Sequence, residues 1–139
     1  MNESKHEGVS ILFVSDNEEV LLFLRDNIPS IPFPGCWDVP GGHVEEGETP
    51  EDCIVREMEE EIEINIGKPA LFKKTDLNDR TEYTFWKKAD FNIDDINLHE
   101  GQGMKWFSEE DAKNLPEDKI YLGFKPIILE FFKEKPFNK

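Results

Sequence analysis

A chain of 139 residues that is 37% hydrophobic and 12% aromatic can build one core, and a single domain over 1–139 is expected. Its 16 basic and 31 acidic residues, net −15, argue against a nucleic-acid polymer as partner, because neutralising a phosphate backbone needs a basic surface. They leave open an acidic site that meets an anionic substrate through divalent cations.

The opening MNESKHEGVS lacks the regions of a signal peptide, and no apolar run approaches the ~20 residues of a membrane span. A cytoplasmic protein that meets no membrane is expected. Cys36 and Cys53 have no metal-type spacing and suit a reducing compartment, and Cys53 falls at an apolar helix position where packing is its expected role.

GVSILFVSDNEEVLLFLR, residues 8–25, holds two β-rich runs around Asp16-Asn17 and predicts a hairpin of well-buried strands. DNIPSIPFPG is a proline-rich loop that delivers the chain to WDVPGG. At Thr49 a helix begins: Thr49 is the N-cap, Pro50 occupies N1 and Asp52 completes a variant capping box. Ile54, Met58 and Ile62 recur every four residues and define its buried stripe, flanked by Cys53 and Val55. IGKPALFKKTDL and RTEYTFWKKADF read as strands joined at Asn78-Asp79, followed by a loop over 94–103 and the short strand MKWFS. Ser108 with Asp111 caps a short helix, and KPIILEFFKEK forms a last amphipathic one with Pro126 near its start. The order ββ, α, ββ, β, α, α predicts an α/β fold with helices packed on a mixed sheet. Trp86 and Trp106 belong to strands and are expected to pack, and Trp37 is core or a platform for a substrate.

The stretch from Gly41 to Ile64 sets ten acidic residues against one base, Arg56. Like charges four apart cost a helix roughly 0.2–0.5 kcal/mol per pair, so something must compensate. Helical spacing gathers Glu57, Glu60 and Glu61 on one patch, with Glu59 and Glu63 off it. Carboxylates held together bind hard cations such as Mg²⁺, which polarise a phosphoryl group and acidify bound water; a neighbouring carboxylate can then take the water's proton. No Ser or Cys sits in a recognisable nucleophile motif.

Gly42, Glu48, Arg56, Glu57, Met58, Glu60, Glu61 and Ile64 resemble, in register, the box of the Nudix hydrolase family. One position departs, with Glu63 where the family has glycine; a Cβ there makes a left-handed helix end more costly. The resemblance implies a Nudix α/β/α sandwich, a mixed β-sheet packed between helices. It implies Mg²⁺-dependent hydrolysis, with Mn²⁺ as an alternative ion, of a nucleoside diphosphate linked to another moiety. Glu57, Glu60 and Glu61 match metal-binding glutamates, Gly42 a position whose carbonyl can reach a metal, and Glu48 a partner of Arg56 that holds the loop against the helix. The likeness extends to the MutT-like nucleoside triphosphate pyrophosphohydrolases. Within it Arg25 resembles a substrate-contacting arginine, Arg80 in NDR a base-contacting one, and Glu100 in EGQ a loop glutamate brought to the metals. Either Glu57 or Glu100 is then the general base. Asp38 could hydrogen-bond a base edge, and Gly41 belongs to the same substrate-binding stretch.

In oxidised-guanine MutT proteins an asparagine ahead of a proline reads the purine; aligning on Pro126 puts Phe124 there, which stacks on a base but offers no amide. The substrate expected is a small nucleotide, foremost a (d)NTP cleaved to the monophosphate and pyrophosphate, with a nucleotide sugar or other NDP-X as the alternative. The protein would act as a monomer or homodimer. A catalytically inactive nucleotide-binding module conflicts with the complete glutamate set. A prenyl-diphosphate isomerase would need a catalytic thiol, for which Cys36 is the candidate. A Ca²⁺ sensor would need an alternating Asp/Asn loop that the sequence lacks.

Overall fold

The computed structural model describes residues 6–138. Nine residues of unbroken β character make β1 (His6–Val14), which turns at 15–19 into β2 (Val20–Leu24). Direct pairing of this hairpin is confined to its tip, Val14 with Val20. Over its whole length β1 runs instead parallel to β6 (Arg80–Lys88), from His6 opposite Arg80 to Val14 opposite Lys88. Two short strands, β3 (Trp37–Asp38) and β4 (Gly41–His43), lie where the sequence reading has a connecting stretch; they pair with β2 and β1. β5 (Ala70–Asp76) pairs antiparallel with β6, and β7 (Gly103–Phe107) with β2. The seven strands form one mixed sheet, its main path running β3-β2-β1-β6-β5.

α1 (Pro50–Ile62) begins as the sequence predicts: the Thr49 hydroxyl accepts from the Asp52 N–H at 3.1 Å, the forward half of the capping box. Cys53, Ile54, Met58 and Ile62 are its buried residues. Its end is held by Glu63 in the left-handed region (φ 58°, ψ 36°), with the Glu63 N–H turned back to the carbonyls of Met58 and Glu59. α2 (Glu109–Asn114) carries a reciprocal Ser108–Asp111 capping box, and α3 (Phe124–Glu134) buries Phe124, Ile127, Ile128, Phe131 and Phe132.

Alternation along β1 divides the core between two layers. Val9, Ile11 and Phe13 join Ile54, Met58 and Ile62 of α1, whereas Leu12 and Val14 join Ile128 and Phe131 of α3. Helices therefore cover both faces, as an α/β/α sandwich requires. Trp37 meets Phe107 edge-on at 4.9 Å and belongs to the core, and Trp86 and Trp106 are packed against the two clusters. Among the described residues, no helix is long and apolar enough to cross a membrane.

Candidate active site

A cavity of about 460 Å³ lies between α1, the ends of β2 and β6, and the segment leading into α3. That volume is within the roughly 300–1,000 Å³ usual for small-molecule sites. Gly41, Gly42, Glu57, Glu61 and Glu100 line one end, and Arg25, Asp38, Arg80 and Phe124 line the remainder.

Glu57 and Glu61 stand one turn apart on α1, and β4 comes very close to them. A Cβ on Gly42 would fall 1.7 Å from Glu57 Oε2, and one on Gly41 would fall 1.9 Å from the Val9 carbonyl oxygen. Only glycine permits this approach. Arg56 ties the loop to the helix: Nε donates to Glu48 Oε2 at 2.7 Å and Nη2 to Glu48 Oε1 at 3.1 Å, while Nη1 donates to Glu57 Oε1 at 3.2 Å and Glu60 Oε1 at 3.1 Å. The guanidinium holds the Glu48 carboxyl down at about 2. It also draws Glu60 outward, so the single patch expected of three helix glutamates is divided: Glu57 and Glu61 line the cavity, but Glu60 is exposed and does not.

The carboxylate that joins Glu57 and Glu61, Glu100, comes from the loop. The His99 N–H donates to the Glu61 carbonyl at 2.9 Å, and the His99 ring pairs with Glu63. On the other side of Glu100, the Gln102 N–H and side-chain amide donate to the carbonyls of Leu24 and Arg25, both at 2.8 Å. Burial, followed by the charges of Glu57 and Glu100, pushes the Glu61 carboxyl up to about 9. Glu57 is also raised, chiefly by burial against the opposing pull of Arg56.

Farther along, Arg25 Nη1 donates to Asp38 Oδ2 at 2.9 Å and Nε to the Pro32 carbonyl at 3.1 Å. Burial lifts Asp38 to about 6, against the pull of Arg25. Arg80 Nε donates to Glu82 Oε1 at 2.6 Å, Nη1 to Asp79 at 3.1 Å and Nη2 to the Leu122 carbonyl at 3.1 Å. Its N–H groups are thus engaged within the protein, and its flat face lies over Tyr121 and Phe124, 5.5 and 5.3 Å from the ring centres. Tyr121 takes Arg25 as well, at 4.8 Å, so one ring packs against both arginines. Neither Tyr121 nor Glu82 is among the residues the sequence singles out. Cys36 donates to the Asp118 carbonyl at 3.4 Å and does not line the cavity, which leaves the isomerase reading without its thiol. Cys53 is buried, its thiol pushed up to about 12 mainly by desolvation.

A NUDIX domain model matches residues 4–128. The chain belongs to the Nudix family. It is 31% identical over 134 residues to an ADP-ribose pyrophosphatase of Methanocaldococcus jannaschii, covering 94% of this chain and 76% of that protein. To a putative 8-oxo-dGTP diphosphatase of Bacillus subtilis it is 27% identical over 105 residues, 73% of this chain and 66% of the other. Its fold matches the crystal structure of a MutT protein from Methanosarcina mazei with a TM-score of 0.73, at 23% identity, covering 98% and 99% of the two chains. The protein is a Nudix hydrolase.

Nudix enzymes generally use a divalent metal, and the donor set here fits one. Glu57, Glu61 and Glu100 face the same cavity, and Glu61 Oε2 is buried without a hydrogen-bond partner. All-oxygen donors suit Mg²⁺ or Mn²⁺. Among the described residues no three acidic, His or Cys side chains are arranged to hold an ion as they stand. Arg56 Nη1 engages Glu57 Oε1 and Glu60 Oε1, and a bound cation would compete with it for them.

Proposed function

We propose that the protein is a Mg²⁺-dependent pyrophosphohydrolase of nucleoside diphosphate derivatives, with a nucleoside triphosphate cleaved to monophosphate and pyrophosphate as the leading substrate. The observation that carries this is the meeting of Glu57, Glu61 and Glu100 at the end of a nucleotide-sized cavity, with Glu61 Oε2 unpartnered. Glu57, Glu61, Glu100 and the Gly42 carbonyl would hold the cation, joined by Glu60 once it is released from Arg56. When bound, the cation polarises the phosphoryl group and acidifies water.

The protein's own groups do the rest. Arg56 and Glu48 fix the loop so that Gly42 lies against Glu57. Glu57 and Glu100 are the two carboxylates placed to take the attacking water's proton. Arg25, Asp38 and Gly41 line the route from this end to the remainder of the cavity, where Phe124 offers a ring to a base. The absence of an amide at Phe124 argues against oxidised guanine as the preferred base. A second reading, an NDP-X hydrolase, is supported by the archaeal relative, which matches most of the chain and whose name gives ADP-ribose as substrate. With no membrane helix among the described residues and two free cysteines, we place the enzyme in the cytoplasm.

The test is release of phosphate and pyrophosphate with Mg²⁺ over canonical and oxidised NTPs, nucleotide sugars, ADP-ribose and dinucleoside polyphosphates. Turnover of NTPs to monophosphate and pyrophosphate, lost in Glu57→Gln, is expected. Turnover of ADP-ribose alone would move the second reading to the front, and no turnover by folded, Mg²⁺-loaded protein would favour a binding module.

A further inference from the structure

The sheet face beneath α3 changes character halfway along. Its upper part is apolar, with Leu12, Val14 and Trp86 packed in the α3 cluster. By strand alternation the same face continues through Ser10, Gly8 and His6 on β1 and through Thr84, Glu82 and Arg80 on β6. Ser10 and Thr84 are fully buried, Glu82 is 2% exposed and Arg80 6%. Gly8 stands between His43 on β4 and Glu82 on β6 in one cross-strand row. His6, His43, Arg80 and Glu82 all line the cavity.

Glu82 is the residue here that the fold does not explain. Its Oε1 accepts from Arg80 Nε at 2.6 Å, but Oε2 is buried with no hydrogen-bond partner. The Ser10 hydroxyl, 2.9 Å from Thr84 Oγ1 with either oxygen able to donate, also lies by this carboxylate and, after Arg80, opposes the rise that burial imposes on it. The backbone makes room for this carboxylate, since a Cβ at Gly8 would fall 2.6 Å from Glu82 Oε1. Buried polar atoms are nearly always paired, so an unpaired one on a cavity wall points to a partner supplied by ligand. Asp38 Oδ1 and Glu61 Oε2 are unpaired on the same cavity. All three atoms are acceptors; Glu61 belongs with the cation, whereas Glu82, already bonded to a guanidinium, calls for an N–H donor.

We propose that Glu82 is a specificity-determining residue, its Oε2 accepting from an exocyclic amino group of the substrate's base. Amino-bearing bases are then preferred to counterparts without that amino group, because the latter leave the carboxylate oxygen unpaired, and a keto group in its place also faces it with an acceptor. This rests on the reading that the cavity takes a nucleotide.

The experiment compares kcat/KM within the pairs CTP and UTP, GTP and ITP, and ATP and ITP, for wild type, Glu82→Gln and Glu82→Asp. Wild type should favour the amino member of at least one pair by about tenfold or more. That ratio should shrink toward one in Glu82→Gln, whose amide presents either a donor or an acceptor, and should fall in Glu82→Asp, which keeps a charge for Arg80. No discrimination in wild type, or the same ratio in both variants with a uniform fall on every nucleotide, would overturn the proposal and leave Glu82 as a support for Arg80. Calorimetric binding of CMP against UMP, and of GMP and AMP against IMP, without metal gives the same comparison independently of turnover. Loss of all hydrolysis alongside discriminating binding would count against the proposed reaction, not against Glu82.

Discussion

At the α1 end of the cavity Glu57, Glu61 and Glu100 have one guanidinium among their immediate neighbours, Arg56, and it bonds Glu57 alone of the three. At the other end each arginine has its own acid, Arg25 with Asp38 and Arg80 with Glu82 and Asp79, and both rest on Tyr121. The first end has few cationic partners until a metal arrives; at the second both arginines are already paired before a substrate does. The acidic surplus that opposes folding is thus concentrated where the chemistry is expected, and the arginine end serves as its rigid counterpart.

The largest effect expected is on turnover. Glu61→Gln or Glu57→Gln should lower kcat by on the order of 10²–10³-fold in a Mg²⁺-dependent assay, whereas Arg80→Lys should act mainly on KM. Equal losses of kcat at both ends would erase the distinction. Next comes Arg56→Met, which leaves Glu48 without its partner; a loss of about 1.5–3 kcal/mol in urea unfolding is predicted, the worth of hydrogen bonds to charged groups.

Glu61→Gln should have the opposite sign, stabilising the metal-free protein at pH 7 by about 1–3 kcal/mol, because the buried Glu61 carboxyl, raised to about 9, must take up a proton on folding and glutamine need not. Added Mg²⁺ should raise the melting temperature of wild type and leave the variant little changed. The pH dependence follows from the same groups. Burial raises Glu61 from 4.5 to about 9 and Asp38 from 3.8 to about 6. The folded state therefore binds protons more tightly, and these two groups make stability fall as pH rises from about 4 to 9. Glu48, held at about 2 by Arg56, contributes stability above its ordinary value that is lost as pH falls through 4.5 toward 2. Metal-free protein should melt highest near pH 4–5, seen by scanning calorimetry, and a maximum above pH 7 would contradict the imbalance. The smallest effect is at Glu63→Gly: relief of the left-handed strain, offset by loss of the exposed His99 pair, should leave a gain within about 1 kcal/mol.

The α1 end was legible in the sequence because its chemistry is local. The Thr49 cap and the Ile54–Met58–Ile62 stripe fix the rotation of the helix, and with it the placing of Glu57 and Glu61. The spacing could not show that Arg56 draws Glu60 away, since that depends on the loop folding back to bring Glu48 to the guanidinium. β3 and β4 were hidden for a related reason: WDVPGG reads as a loop, and its glycines form strand only because β1 and Glu57 come too close for any side chain. Glu82 was invisible because RTEYTFW alternates in the inverse sense, with Arg80, Glu82 and Thr84 buried while Thr81 and Tyr83 are half-exposed. A polar residue facing inward contradicts the rule by which a strand's buried side is read. Tyr121 lies in the segment before α3, where no periodicity exists to mark it.

The most direct test of the central claim is calorimetric titration of Mg²⁺ into wild type and Glu61→Gln at pH 7.5 in buffers of differing ionisation enthalpy. With Glu61 held at about 9, the account predicts release of about one proton per binding event in wild type, lost along with most of the affinity in the variant. Binding without proton release, or equal binding by Glu61→Gln, would show that this carboxyl is not where the cation sits.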